Sequence, residues 1–337
     1  MAARAPPPLL EEIVEEILLR TPPDEPERLV RAALACKKWC RLVSGPGFRR
    51  RFRERHRTPP LLGILRSFVD EDCTAVAQFV PTSSFRPPHA DRRGWRAIDS
   101  RHGRVLLHTL PWFIDFIDEL AVWDPVTDEQ RELPRLHLHR QVANFNAAVV
   151  CAAAAGDCDH LDCSNRSFHV AFVGTDLEGA LVSVYSSEAG AWCEPTFAPI
   201  SGLVSDRVSA AHVGNALYFL LRSDTRILKC DLGTQEMMVI NPPPMSNNHI
   251  VLMTAEGGGL GCVTVTESAL HLWSRVALPG GDMEWVQSRV IEERLAPVGR
   301  VMIVLHVVGF ADGGGIIYVG TDDGSFTTDL KSGFSEM

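Results

Sequence analysis

No apolar run in the chain approaches the roughly eighteen residues that a membrane-spanning helix requires. The opening MAARAPPPLLEE reaches acidic residues before any seven-residue apolar core, so no secretory signal is expected there. Without export, the nine cysteines, an odd number, are expected as reduced thiols in cytosol or nucleus. Basic excess is also missing: 33 Lys and Arg stand against 42 Asp and Glu, and the net charge is −9. Such a surface repels phosphate and excludes non-specific nucleic-acid binding. There is no Gly-x-Ser-x-Gly elbow and no cysteine in a nucleophile motif. His137 and His139 alternate on an extended LHLHR segment, without the glutamate spacing of a metalloprotease. Gly257–Gly259 and Gly313–Gly315 each join two predicted strands and open no helix, so they are turn residues, not phosphate cradles. Asp322-Asp323-Gly324 reads as a hairpin turn.

What is present is a folded composition, 45% hydrophobic and 22% charged, with the charge split unevenly. Residues 1–57 hold 13 basic against 8 acidic side chains, and the remaining residues 20 against 34. The balance changes sign near Thr58-Pro59-Pro60, which predicts two domains. Residues 1–8 form an unstructured leader, 9–57 a helical domain, 58–66 a linker and 67–337 a β domain. In the helical part, Leu10, Ile13, Val14, Ile17 and Leu18 fall at i, i+3, i+4, i+7 and i+8, with Glu11, Glu12, Glu15 and Glu16 opposite. Pro22-Pro23 stops this helix. Asp24 is the expected N-cap of a second, turning Leu29, Ala33, Cys36 and Cys40 inward and continuing through Trp39, Leu42 and Val43 to Ser44-Gly45-Pro46-Gly47. Phe48 and Phe52, four apart among arginines, predict a packed helix face rather than a linear import signal. A bundle this small is marginal alone and completes its core with a partner.

These residues resemble an F-box. The family's two acidic and two apolar positions, its Glu-Ile-Leu turn and its Cys-Lys-x-Trp correspond to Glu11-Glu12, Ile13-Val14, Glu16-Ile17-Leu18 and Cys36-Lys37-Lys38-Trp39. Leu10 stands where the family usually has proline, which leaves the helix start less rigidly set. Ser44–Phe48 and Arg57–Leu65 look like a version common in grass F-box proteins. The resemblance implies a subunit of a cullin-RING ubiquitin ligase that binds a Skp-type adaptor, and through it cullin. The residues it implies at that interface are Leu9, Leu10, Ile13, Ile17, Leu18, Leu29, Leu34 and Trp39.

From Leu61 the period changes to short apolar runs bounded by Gly, Asp, Ser and Pro. The clearest unit is 208–240: a strand, a Gly214-Asn215 turn, two strands, a Gly233-Thr234 turn and a fourth strand. The order recurs at 250–291 and 302–330, and fits 96–134 and 146–195. The third strands of these units end at Trp123, Tyr185, Cys230, Trp273 and Thr328, spacings of 62, 45, 43 and 55 residues. Four-stranded units of this length predict a propeller-like β domain of five to six blades. The last unit runs out before its fourth strand: either strands in 61–82 complete it, or it is shortened with a weaker closure. The same strands are the candidates for a sixth blade shared between the chain ends. The resemblance extends here, since plant F-box proteins often pair the helical module with a kelch-like or F-box-associated β domain. The Gly-Gly and Trp marks of kelch blades occur only patchily.

The sharpest chemical cluster is Cys158-Asp159-His160-Leu161-Asp162-Cys163, preceded by Cys151. Cys158, His160 and Cys163 are soft or borderline zinc ligands on one loop. A structural site needs four ligands, and no second Cys/His pair sits at a suggestive spacing downstream, so the expectation is a polar loop between two strands with buried or free thiols. No cofactor is expected. Trp95, Trp112, Trp123, Trp192, Trp273 and Trp285 are candidates for a recognition surface, with several of them expected as blade core instead. Trp112, Phe113 and Phe116 in WFIDFIDE are the candidates for an exposed target-binding loop. The resulting expectation is a non-catalytic substrate receptor with an unknown protein target, no nucleic-acid or membrane partner, and a cytoplasmic or nuclear location. The alternatives are a propeller enzyme, oxidase or hydrolase, with a site in the central channel, and a scaffold outside any ligase.

Overall fold

The computed structural model describes residues 10–23, 25–56, 60–109, 119–153, 158, 160, 163, 166–222, 224–244, 250–266, 269–292, 306–311, 316–321, 324–329 and 335–336. Two compact units divide it, Met1–Ile64 with Val80–Arg86, and Leu65–Phe79 with Pro87–Met337. The leader 1–8, Leu9, Asp24, Trp112, Phe113, Phe116, Gly313–Gly315 and Asp322-Asp323 lie outside the described residues.

The first unit holds α1 (Glu11–Leu19), α2 (Pro26–Ala35), α3 (Lys37–Ser44) and α4 (Pro46–Arg55). Leu10 caps α1 in an extended conformation with no side-chain cap. Glu25 occupies the cap position of α2, because Pro26 at the first helical position fixes its own φ and needs no N–H partner. The expected continuous second helix breaks at Cys36. Its backbone is extended, and its sulfur accepts from the Trp39 N–H to restart the helix. Cys36 and Cys40, expected inward, are therefore exposed. Val14, Leu18, Leu19 and Phe48 form the core, with Leu29, Trp39, Leu42 and Phe52 packed against it. Phe48 stacks on Phe52 at 5.9 Å, so the arginine-rich helix is anchored through its aromatics as expected. The glutamates of α1 do not face bulk water alone: Glu11 pairs with Lys38 (3.1 Å), Glu15 with Arg51, and Glu16 with Arg55 (3.3 Å).

Among the described residues the β region forms six antiparallel sheets. The first contains β1 (Gly63–Val69), β2 (Ala75–Pro81) and β3 (Asp91–Arg93). β1 thus begins inside the expected linker. The second contains β4 (Trp95–Arg101), β5 (Arg104–Thr109), β6 (Leu120–Trp123) and β7 (Gln130–Glu132). The third contains β8 (Asn144–Cys151), β9 (Phe168–Thr175) and β10 (Ala180–Ser186), with β11 (Ala191–Trp192) and β12 (Thr196–Ala198) sharing the outer edge of β10. Pro195, which has no N–H for a ladder, lies in the break between these two short strands. The fourth sheet is β13 (Ala211–Val213), β14 (Ala216–Leu220), β15 (Ile227–Asp231) and β16 (Met237–Ile240). The fifth is β17 (Ile250–Thr254), β18 (Leu260–Thr266), β19 (Ala269–Ala277) and β20 (Met283–Glu292). The sixth is β21 (His306–Ala311), β22 (Ile316–Thr321), β23 (Gly324–Asp329) and β24 (Ser335–Glu336).

The five residues expected to end third strands all fall on third strands: Trp123 on β6, Tyr185 on β10, Cys230 on β15, Trp273 on β19 and Thr328 on β23. The last sheet is completed by β24 pairing with β23, not by strands from 61–82, which build their own sheet. Four-stranded sheets packed face to face explain the near-continuous apolar runs. On β8, Ala147 and Val149 join a core shared with the second sheet, while Ala148 and Val150 join one shared with the fourth. Both faces are buried, so alternation in direction leaves no polar alternation in sequence. A third core joins the fourth and fifth sheets through Tyr218, Ile227, Leu252 and Trp273.

Candidate functional site

The α1 stripe splits into two edges. Val14 and Leu18 turn inward, whereas Leu10, Ile13 and Ile17 remain exposed, Leu10 at 66%. Val30 and Leu34 of α2 are exposed as well, Leu34 at 80%. Five large apolar side chains are thus exposed on a four-helix unit. Of the residues expected at the adaptor interface, Leu10, Ile13, Ile17 and Leu34 are thus free to contact a partner. Leu18 is spent in the unit's own core, and Leu29 and Trp39 pack against it. Val30 was missed, because the α2 pattern alone does not show which edge α1 and α4 cover.

In the β unit the first strands of successive sheets meet, β4 beside β8, β13 beside β17 and β17 beside β21. Polar side chains converge there. Asp99 accepts from the Val149 N–H (2.9 Å) and pairs with Arg101 (3.1 Å), whose guanidinium also donates to the Ala210 carbonyl. Asn146 donates to the Ser205 and Val208 carbonyls at 2.6 and 2.8 Å. Each of these groups is tied to backbone of another strand or loop, which locks the strands in register. Trp95 is only half-buried, while several other tryptophans behave as expected of blade core: Trp123 and Trp273 are buried, and Trp192 and Trp285 pack against the inter-sheet cores. The last two also donate to the Pro134 and Asn241 carbonyls, at the exits of the preceding sheets. Burial pushes the Cys230 thiol up to about 12 and raises Cys262 also, the opposite of what a nucleophile needs.

The connection from β8 to β9 carries the one Cys/His cluster found among the described residues. The Sγ atoms of Cys151, Cys158 and Cys163 and a ring nitrogen of His160 all lie within 4.8 Å of one another. Cys158 Sγ is 3.6 Å from Cys163 Sγ, which is 3.5 Å from His160 Nδ1, and the His160 N–H points at Cys158 Sγ (3.4 Å). The expected trio is therefore joined by a fourth group. Cys151 ends β8 on the face of Ala147 and Val149, so strand alternation aims it at the second sheet. That sheet answers with the β4–β5 hairpin. His102 and Gly103 adopt positive φ (52° and 78°) in a two-residue turn between Arg101 and Arg104. His102 stacks on the His160 ring at 4.0 Å, and Arg104, 4% exposed, donates to the Cys163 and Arg166 carbonyls. Burial, followed by the neighbouring thiols, pushes the Cys163 thiol up.

Among the described residues the chain joins a helical bundle with exposed apolar side chains to six sheets, four of them four-stranded. Residues 9–51 match the F-box domain family, and residues 96–296 match the family described as F-box protein AT5G49610-like, beta-propeller. The chain belongs to that family of F-box proteins with a β-propeller. No curated protein matches it. Among solved structures, a chain of the mitotic checkpoint complex is similar at 12% identity, over 74% of this chain and 65% of that one, with a TM-score of 0.37. The β-propeller domain of the Trilobed protease from Pyrococcus furiosus is similar at 10% identity over 81% and 78% (TM-score 0.39). Apo AztD from Citrobacter koseri is similar at 12% over 81% and 85% (TM-score 0.38).

Proposed function

We propose that this chain is a substrate-receptor subunit of an SCF-type cullin-RING ubiquitin ligase. The exposed apolar side chains Leu10, Ile13 and Ile17 of α1 and Val30 and Leu34 of α2 dock on a Skp-type adaptor, and the propeller holds a target protein. The observation that carries the reading is the exposure of these side chains, on a helical unit matched by the F-box family. Receptor function needs no chemistry from this chain. Ubiquitin is transferred by other subunits, and the receptor supplies proximity, raising the effective concentration of target lysines at the conjugating enzyme. The convergent polar groups of the inner strands, engaged with backbone, support a non-catalytic role over a channel enzyme. The site of target binding and the cytoplasmic or nuclear location belong to the proposal, with Trp112, Phe113 and Phe116 as first candidates for target contact.

The test is a comparison of wild-type chain with Ile17→Asp in cells carrying a tagged copy. Proteins that bind the propeller should be ubiquitylated and short-lived with wild type, and should accumulate, still bound, with the variant. Equal lifetimes of those proteins in the two lines would count against a receptor role and favour the scaffold.

A further inference from the structure

We propose that Cys151, Cys158, His160 and Cys163 form a structural zinc site that clamps the β8–β9 connection onto the end of β8, beside the β4–β5 hairpin of the neighbouring sheet.

The geometry is that of one small ion. A tetrahedral zinc with Zn–S near 2.3 Å and Zn–N near 2.05 Å separates its sulfurs by about 3.8 Å and sulfur from nitrogen by about 3.6 Å. The Cys158–Cys163 and Cys163–His160 separations are 3.6 and 3.5 Å, and none of the ligand-atom separations exceeds 4.8 Å. A disulfide brings two sulfurs to about 2.05 Å and leaves the other two groups without a role. A polynuclear iron–sulfur core spreads its ligands wider than this cluster allows. Three thiolates and an imidazole make the soft, closed set of a structural zinc, with no position left open for substrate.

The surroundings suit the charge and the aim of these ligands. Zinc with three thiolates and a neutral histidine carries one net negative charge. Arg104 is buried beside it, donating to the Cys163 carbonyl and fixed over the Phe168 ring at 5.1 Å. His102, stacked parallel on His160, sets the ring plane of that ligand. The His160 N–H pointing at Cys158 Sγ is the kind of second-shell donor that steadies a bound thiolate.

The connection itself supplies an independent reason. β8 and β9 pair as a hairpin up to Cys151 and Phe168, yet residues 152–167 intervene. Hairpin loops usually take about two to five residues, and a longer one needs something to order it. A zinc ion would fasten three points of this excursion to the strand end from which it leaves.

The experiment is metal analysis of the full-length chain purified without chelator, by inductively coupled plasma mass spectrometry. The expected result is about one zinc per chain, falling below about a tenth in the double variant Cys158→Ser/Cys163→Ser, while Cys193→Ser keeps its zinc. Since the double variant can misfold, the second measurement replaces zinc by cobalt in wild type and in His160→Cys. Wild type should show intense visible bands of tetrahedral cobalt with thiolate charge transfer, and His160→Cys should retain cobalt with a spectrum shifted toward four sulfurs. A wild-type chain that stays metal-free when supplied with zinc and gives no such cobalt spectrum would overturn the site. So would a Cys158–Cys163 disulfide by intact mass, or zinc that persists in the double variant.

Discussion

Burial decides the protonation state of His108. It is 4% exposed, lies edge-on to Phe145 at 4.7 Å, and has its pKa lowered from 6.5 to about 4, by desolvation first and then by the Arg96 charge. The unfolded chain takes up this proton at a higher pH than the folded one. The contribution of His108 is therefore complete above pH 6.5 and is lost as pH falls toward 4, on the order of 3 kcal/mol in full. Asp128 and Asp231, whose carboxyls are held below 3.8 by hydrogen bonds, act only under stronger acid. We predict that His108→Gln flattens the fall in chemical-denaturation stability between pH 7 and 4.5; parallel curves for the two proteins would exclude His108 as the sensor. At this scale the sequence was informative where chemistry sits on one short segment, as with Cys158, His160 and Cys163. It noted Cys151 upstream without making it a ligand and was silent on His102 and Arg104, because strand register and inter-sheet packing bring them there, not spacing.

Turns between third and fourth strands repeat one device. Asp124 accepts from the Val126 and Thr127 N–H groups, and Asp231 from those of Gly233 and Thr234, while Asp128 and Gln235, four residues on, take positive φ. The carboxylate does locally what backbone pairing does in the ladder. Asp231→Ala should cost about 1–2 kcal/mol by denaturant titration, and Asp231→Asn clearly less, since the amide oxygen still accepts. Equal costs for Ala and Asn would show that the turn rests on backbone alone. Elements were legible where apolar runs ended in such turns, which is why the third strands could be placed from residue spacing. The break at Cys36 was not: Lys37-Lys38-Trp39 continues a helical pattern, and the stop is a backbone conformation stabilised by a single sulfur contact. The split edge of β10 was missed as well, because Pro195 acts there through one absent N–H.

For the whole molecule, the helical unit leaves Leu10, Ile13, Ile17, Val30 and Leu34 exposed, while the sheets share buried cores and keep apolar side chains such as Met283, Val286 and Val290 exposed as well. The amphipathic stripe of α1 gave the apolar residues but not their division, which depends on where α3 and α4 lie. That division yields opposite expectations for adjacent residues. Leu18→Ala removes core and should lower stability of the helical unit by roughly 2–4 kcal/mol. Ile17→Asp sits on the open edge, so the thermal transition should stay within about 0.5 kcal/mol of wild type in stability. Its effect belongs to assembly, where a carboxylate would be buried without a partner. The most direct measurement is calorimetric titration of the full-length chain with a purified Skp-type adaptor, beside Ile17→Asp of equal melting temperature. Wild type should bind 1:1, and the variant at least about a hundredfold more weakly. Binding of equal strength by both, or by neither, would contradict adaptor docking through Ile17.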